Sequence, residues 1–341
     1  MSPELILVVT IIAVALAFDF INGFHDAANS IATVVATRVL TPFQAVVWAA
    51  FFNFVSAFSF GTAVAKTVGS GMVDLKQVTP YVILCGLIGA IAWDLLTWWL
   101  ALPTSSSHAL FGGYAGAAIA KAASIRVLVW AGWIKTLVFM VVAPLLGLAA
   151  AFLFMLAVYW IFRNSSPKNM DIYFRRLQLL SAAAFSYSHG TNDAQKTMGI
   201  ITGLLVSSGF LALDPHKGMV IPIWVILAAH AAIGLGTLSG GWRIVHTMGS
   251  RITRLKPRGG FCAETAAATS ILVATSIGVG VSTTHVITGA IAGVGCIQRA
   301  RAVRWGVALN IVWAWVLTVP ASGAVAWLSY LVVKLLGLDR G

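Results

Sequence analysis

Runs of about 20 apolar residues, the length that carries a helix across bilayer hydrocarbon, recur from one end of this 341-residue chain to the other. Nothing else in the sequence narrows the fold as far. Inside a bilayer every backbone N–H and C=O must find its partner within the protein, so only helices and closed barrels span. Barrel strands read as short alternating segments, whereas these runs are long and rich in Ala, Leu, Val and Gly, which predicts an all-α integral membrane protein. A charged content of 9% against 59% apolar leaves no room for a soluble catalytic domain. The net charge of +12 is not a nucleic-acid signal, because the Lys and Arg sit in short loops between spans, where orientation rules place them. Cys85, Cys262 and Cys296 stand alone and read as packing residues. The opening MSPELILVVTIIAVALAF lacks a basic leader and a small-residue cleavage site, so it reads as a retained span.

Hydropathy and helix breakers together predict spans near 3–20, 43–65, 78–100, 126–143 and 145–162, then near 177–189, 219–240, 263–280, 303–319 and 321–338. Pro144 and Pro320 are taken to split two long runs. Polar-tipped segments near 22–38, 103–120, 190–208 and 282–298 read as re-entrant or broken helical hairpins. The organisation expected is a first repeat over 1–162, a basic cytoplasmic linker over 163–176 and a second repeat over 177–341. With five spans in each, the second is inverted relative to the first. Placing both termini outside puts twelve loop Lys and Arg inside and eight outside, with Arg299, Arg301 and Arg304 as the weak point. In that arrangement the first repeat's hairpins enter from the cytoplasm and the second's from outside.

The halves share two polar motifs. FDFINGFHDAANSIA at 18–32 aligns without gaps on FSYSHGTNDAQKTMG at 185–199, setting Asp26 on Asp193, and LPTSSSHALFGG around Ser105–His108 pairs with VSTTHVITGA around Ser282–His285. Buried carboxylates must be protonated, paired or bound to a cation. Asp26 and Asp193, with Asn22 and Asn192 beside them, are therefore candidates for a coupling cation, whether sodium, a proton or a metal. Ser105, Ser106, Ser107, Ser282, Thr283 and Thr284 precede helical stretches, where hydroxyls and free N–H groups at a helix start suit an oxyanion. Ordinary N-capping is the plainer reading of either cluster alone. Lys196, where the first copy has Asn29, either counters substrate charge or pairs with Asp193. His108 and His285 bind the anion or orient the loop, and Asp94 and Glu264 read as supporting or proton-relay groups. Asp19, Lys135 and His230 have no twin and read as locally paired. The thirteen Trp form an interfacial belt.

These four motifs, GFHDAANS at 23–30, HGTNDAQK at 189–196, LPTSSSH at 102–108 and VSTTH at 281–285, resemble the duplicated signatures of the inorganic phosphate transporter (PiT) family over essentially the whole chain. Asn53 in FFNF and the short central linker look like its bacterial low-affinity branch; His25, where many relatives carry Asn, departs from the pattern. The resemblance implies cation-coupled uptake of inorganic phosphate through an inner membrane, as free phosphate with Na+ or H+ or as a metal–phosphate complex. It implies no enzymatic activity and no bound cofactor. It would place Asp26, Asn29, Asn192, Asp193, Gln195 and Lys196 around phosphate and cation, with the hydroxyl clusters on phosphate oxygens. Arsenate is the expected analogue, the bilayer the only other partner required, and a homodimer is compatible. An anion channel and an intramembrane aspartyl hydrolase are the other classes weighed, since an Asp pair also serves as acid and base.

Overall fold

The computed structural model describes residues 2–58, 61–298 and 302–339. Its secondary structure is helical: α1 (Pro3–Ala36), α2 (Pro42–Val55), α3 (Ala63–Gly71), α4 (Pro80–Trp99), α5 (Ser106–Ala122) and α6 (Trp130–Ile161), then α7 (Pro167–Ser207), α8 (Ile223–Ser239), α9 (Trp242–His246), α10 (Pro257–Ser276), α11 (Thr283–Gln298) and α12 (Trp305–Leu335). The starts are written locally. Ser2, Thr41, Thr79 and Ser166 each stand before a proline and accept an N–H of the first turn, a hydroxyl cap followed by a residue that has no N–H to orphan. Among the described residues, four helices are long and apolar enough to cross a bilayer, or up to six if each bent pair counts as one span. Large apolar side chains such as Leu145, Leu153, Val273 and Trp313 face outward, while Asp, Asn, His, Ser and Thr fill the interior. That is the distribution a lipid solvent selects.

Two expected breaks are absent. Residues 22–36 continue α1 and 190–207 continue α7, so neither segment is a hairpin. Polarity does not itself interrupt a helix whose backbone is bonded internally, and the polar side chains here are buried against other helices. Nor do the prolines split their runs: α6 passes through Pro144 and α12 through Pro320. At Pro144 the carbonyl four residues back, Met140, loses its helical donor, and His285 Nδ1 from α11 lies 3.3 Å from that oxygen. The expected linker over 163–176 is mostly helix, because α7 already begins at Pro167.

The hydroxyl-cluster segments do form hairpins, each with the helix before it. Gly86 of α4 meets Gly113 and Tyr114 of α5 while Asp94 lies near Ser106, so the pair runs antiparallel around a tip at 100–105. The tip between α10 and α11 lies at 277–282. Loop contacts sort the connections onto two faces. On one, Val73 bridges Leu128, Thr79 Oγ1 donates to Asp339 Oδ2 at 3.1 Å, and Lys66 Nζ donates to the Lys217 carbonyl at 3.1 Å. Nearby, Asp214 accepts the N–H groups of His216 (2.8 Å) and Lys217 (2.7 Å), which hold its carboxyl below the usual range. On the other face Arg175 Nη1 donates to the Arg38 carbonyl at 2.9 Å and Arg304 N to the Ile252 carbonyl at 3.0 Å. The α4–α5 hairpin therefore opens on the face of Lys76, and Lys121 and Arg126 stand there rather than beside Arg38 as expected. Arg304 moves the opposite way. Arg299, Arg301 and Arg340, also counted in the orientation argument, lie outside the described residues.

Packing crosses the midpoint of the chain. The α6 helix lies on α11, where a Cβ on Gly289 would come within 2.1 Å of the Pro144 carbonyl and one on Gly293 within 2.2 Å of Leu148 O. Likewise α12 lies on α5, where a Cβ on Gly116 would come within 2.1 Å of the Gly323 carbonyl and one on Gly112 within 2.4 Å of Val319 O. Such small-residue seams let helices approach closely where no hydrophobic effect drives them together. Two apolar clusters result, one holding Val8–Phe18 of α1 and Ala194–Leu204 of α7, the other Ala28–Val34 of α1 and Ala182–Phe185 of α7. The duplicated polar motif occupies the layer between them.

Candidate functional site

In that layer α1 and α7 bring their aspartates together. Asp26 Oδ2 lies 3.9 Å and Asp193 Oδ2 3.2 Å from Nε2 of His189, and one ligand atom of each of the three residues falls within 4.8 Å of the others. All three side chains are buried. His189 stands in the repeat where the first copy has Asn22, and its ring is held from behind by Asn53, whose Oδ1 is 3.1 Å from Nδ1. Asn53 Nδ2 in turn donates to Thr237 Oγ1 at 2.9 Å. Two carboxylates and an imidazole make a donor set for a divalent metal, although Lys196 already holds one of the carboxylates.

The hydroxyl clusters frame this centre from two helix starts. Ser105 Oγ accepts the N–H of His108 and Ser282 Oγ that of His285, each at 3.2 Å, so both are N-caps. The next residues turn to the carboxylates. Thr283 Oγ1 donates to Asp193 Oδ2 at 3.3 Å, Thr284 Oγ1 to Asp26 Oδ1 at 3.4 Å, and Lys196 Nζ bonds Asp193 Oδ1, Ser107 Oγ and, at 2.9 Å, the Val281 carbonyl. Asn29 Nδ2 donates to Thr284 Oγ1 at 2.8 Å. The motif mismatch of Asn29 and Lys196 thus becomes a matched geometry: each reaches the last hydroxyl of the cluster belonging to the other half. Ser106 Oγ is buried without a hydrogen-bond partner among the described residues. The His108 and His285 rings meet edge to face at 4.7 Å between centroids, and His285 stacks on Trp315 at 3.7 Å.

A second matched pair ties each motif to its hairpin. His25 Nε2 lies 3.1 Å from Thr97 Oγ1, and Asn192 Nδ2 donates to Thr275 Oγ1 at 2.7 Å. His25 Nδ1 is 3.0 Å from Asp26 Oδ1, and Asp94, buried without a hydrogen-bond partner among the described residues, lies close to His25 and Asp26. Not every expected residue reaches the centre. Gln195 Oε1 accepts the N–H groups of Val64 (3.0 Å) and Ala65 (3.3 Å) while its Nε2 donates to Thr191 O at 2.8 Å, so it caps α3. Asn22 makes no hydrogen bond through Oδ1 among the described residues. Glu264 sits apart, receiving Thr33 Oγ1 (2.5 Å), Gln178 Nε2 (2.9 Å) and Ser181 Oγ (2.5 Å). Contrary to the local pairing expected for Asp19, both its oxygens lack a hydrogen-bond partner among the described residues. His230 does bond locally, Nδ1 lying 2.8 Å from Ile226 O, and Lys135 is exposed near the start of α6.

The profile of the phosphate transporter family matches residues 22–172 and again 163–326, so one signature is read twice along the chain. A probable low-affinity inorganic phosphate transporter of Rhizobium meliloti is 54% identical over 96% of this chain and 97% of its own length. One of the same description from Bacillus subtilis is 44% identical over 98% and 100%. A solved structure described as the sodium-dependent phosphate transporter superposes with a TM-score of 0.86 at 26% identity, covering 96% of this chain and 99% of that one. These relatives are transporters, which removes the aspartyl hydrolase reading. The chain is a membrane protein that belongs to the phosphate transporter family.

Proposed function

We propose that this chain is a secondary transporter that imports inorganic phosphate by symport with Na+ or H+ through alternating access. The observation that carries the reading is the charge of the buried centre. Asp19, Asp26, Asp94 and Asp193 are buried about the centre with a single buried lysine, Lys196, and with His25, His108 and His189 as further titratable groups near them among the described residues. With all four carboxylates ionised and the histidines neutral, the centre carries three negative charges in excess. A pocket of that sign repels phosphate until cations fill it. Phosphate itself carries one to two negative charges, and moving it against an inside-negative potential costs about 2.3 kcal/mol per charge per 100 mV. Cotransported cations offset both terms.

The two halves of the ion pair are recognised by different parts. Lys196, the hydroxyls of Ser105–Ser107 and Ser282–Thr284, and the free N–H groups at the starts of α5 and α11 receive phosphate oxygens. Asn29 positions Thr284, and Gln195 acts through α3 rather than by contact. Asp26 and Asp193 receive the coupling cation, or a metal travelling with phosphate, while Asn192 braces the second motif through Thr275 and Asn22 lies one turn back toward Asp19. Arsenate, nearly the same in shape and charge, competes. Residues 1–162 and 177–341 act as inverted repeats about this centre, an arrangement that lets one half rock against the other. Its support is the twin geometry above and the opening of the two hairpins on different faces.

Orientation follows from the revised faces. Arg38, Arg163, Lys168, Arg175, Arg176, Arg243, Arg251, Arg254, Lys256, Arg258 and Arg304 stand on one side, against Lys66, Lys76, Lys121, Arg126, Lys217 and Lys334 on the other. The first is the cytoplasmic side of an inner membrane, which puts both termini outside. The test is uptake of labelled phosphate into proteoliposomes with sodium, proton and magnesium gradients imposed one at a time. Saturable uptake driven by one of them is expected. Downhill flux indifferent to every gradient would mean a channel.

A further inference from the structure

Asp19 has no role in the scheme above beyond its charge. It lies seven residues before Asp26, two turns back on the same face of α1, and is fully buried. Its nearest polar neighbours are Thr197 of α7 and Asn22, one turn along α1, with Asp193 and His189 beyond. None of them meets hydrogen-bonding geometry with it. Thr197 Oγ1 and Asn22 Oδ1, at 1% and 2% residue exposure, are themselves without a hydrogen-bond partner among the described residues. Four buried oxygens, with the Thr197 hydroxyl and the Asn22 amide as the nearest donors and neither within hydrogen-bonding geometry of Asp19, are thus gathered between α1 and α7.

An ionised carboxylate in that setting is far from any stable arrangement unless a cation joins it. The donor types narrow the ion. Two carboxylate oxygens, an amide oxygen and a hydroxyl are hard ligands, suited to an alkali or alkaline-earth ion and not to a soft metal. One carboxylate gives one compensating charge, and the adjacent Asp193 is already held by Lys196, so the site matches a monovalent ion. The second half has no equivalent. The motif alignment puts Ser186 on Asp19, and Ser186 Oγ donates to the Ala182 carbonyl at 2.8 Å.

We propose that Asp19, Asn22 and Thr197 form a sodium-class cation site of their own, one-sided in the repeat and separate from the Asp26–Asp193 centre. It deepens the cation-coupled reading and rests on it for its use in transport. A cation there lies beside Asp193 and His189, so it lowers the negative potential at the place where Lys196 and Ser107 would take phosphate. Binding of the two is therefore mutually reinforcing.

The test is direct binding of radiolabelled sodium to the purified full-length protein, without phosphate. Asp19→Asn is expected to bind one sodium ion fewer at saturation than the unmodified chain. Thr197→Val, which removes a neutral ligand only, should weaken one class of sites by about tenfold, and Ser186→Ala should bind as the unmodified chain does. Equal stoichiometry and affinity in Asp19→Asn would overturn the proposal. So would an infrared carbonyl band of a protonated carboxylic acid that is present with sodium and vanishes in that variant. If Asp19→Asn does not fold, unchanged sodium binding in Thr197→Val overturns the proposal by itself. Failure of the transport reading looks different: phosphate uptake would ignore imposed gradients while the sodium ion bound at Asp19 was still lost in Asp19→Asn.

Discussion

Among the described residues, Lys196 is the one ammonium buried with the carboxylates of the centre, and its removal has two separable effects. Lys196→Gln leaves Asp193 in the interior without its ion-pair partner, a change that costs about 3–5 kcal/mol in buried pairs. Asp193→Asn strands the ammonium in the same way. The double variant Asp193→Asn/Lys196→Gln removes both charges, so it is expected to melt closer to the unmodified protein than either single variant does. Thermal unfolding in detergent checks this; additive losses would show that the two side chains do not act as a pair. At this scale the sequence was legible wherever a residue recurs. Asp26 and Asp193, and the hydroxyls at 105–107 and 282–284, are found by aligning the chain on itself. His189 was harder, since it bridges two aspartates yet aligns with an asparagine. Asp19 could not be found by repetition at all, because its twin is a serine bonded to its own helix.

Helices were legible in kind but not in extent. Apolar runs and helix breakers located most of them, whereas polarity at 22–38 and 190–208 and prolines at 144 and 320 were misread as breaks. A proline ends a helix when its freed carbonyl finds nothing else, and the donor offered to Met140 comes from His285, 145 residues away. No local pattern reports it. The element that depends most on such distant fit is α11, whose Gly289 and Gly293 rest on backbone carbonyls of α6. Gly293→Leu cannot be absorbed by a side-chain shift, since the atom met at 2.2 Å is main chain. It is expected to destabilise by at least about 1–3 kcal/mol, read as a lower unfolding temperature. Gly306→Leu, where no neighbour lies within 4 Å, should leave the melt unchanged. Equal effects from the two would count against a packed seam.

For the whole molecule, the faces give a plain expectation. Single cysteines at Lys217 and Lys76 in a background lacking Cys85, Cys262 and Cys296 should react with an impermeant maleimide in intact cells, and one at Arg254 only after permeabilisation. Lys121→Cys tests the revision itself, because it should label with Lys217 rather than with Arg254. The two-part organisation was visible in the sequence, but the face on which each hairpin opens was not, since a hairpin and a full crossing have the same hydropathy. The exchange of α6 and α12 between halves has a further consequence, for biosynthesis. The α4–α5 hairpin leaves the ribosome early, yet the helix that covers it, α12, ends at Leu335. At about 5–20 residues per second, that hairpin waits on the order of 10–40 s in the membrane with its glycine seam uncovered. Neither half completes its own packing, so a chain stopped after residue 162 should be degraded when expressed alone and rescued by coexpression of 163–341. Pulse-chase labelling of the two fragments, apart and together, measures this: an early fragment with the same lifetime in both settings would mean that the hairpin needs no partner from the later half.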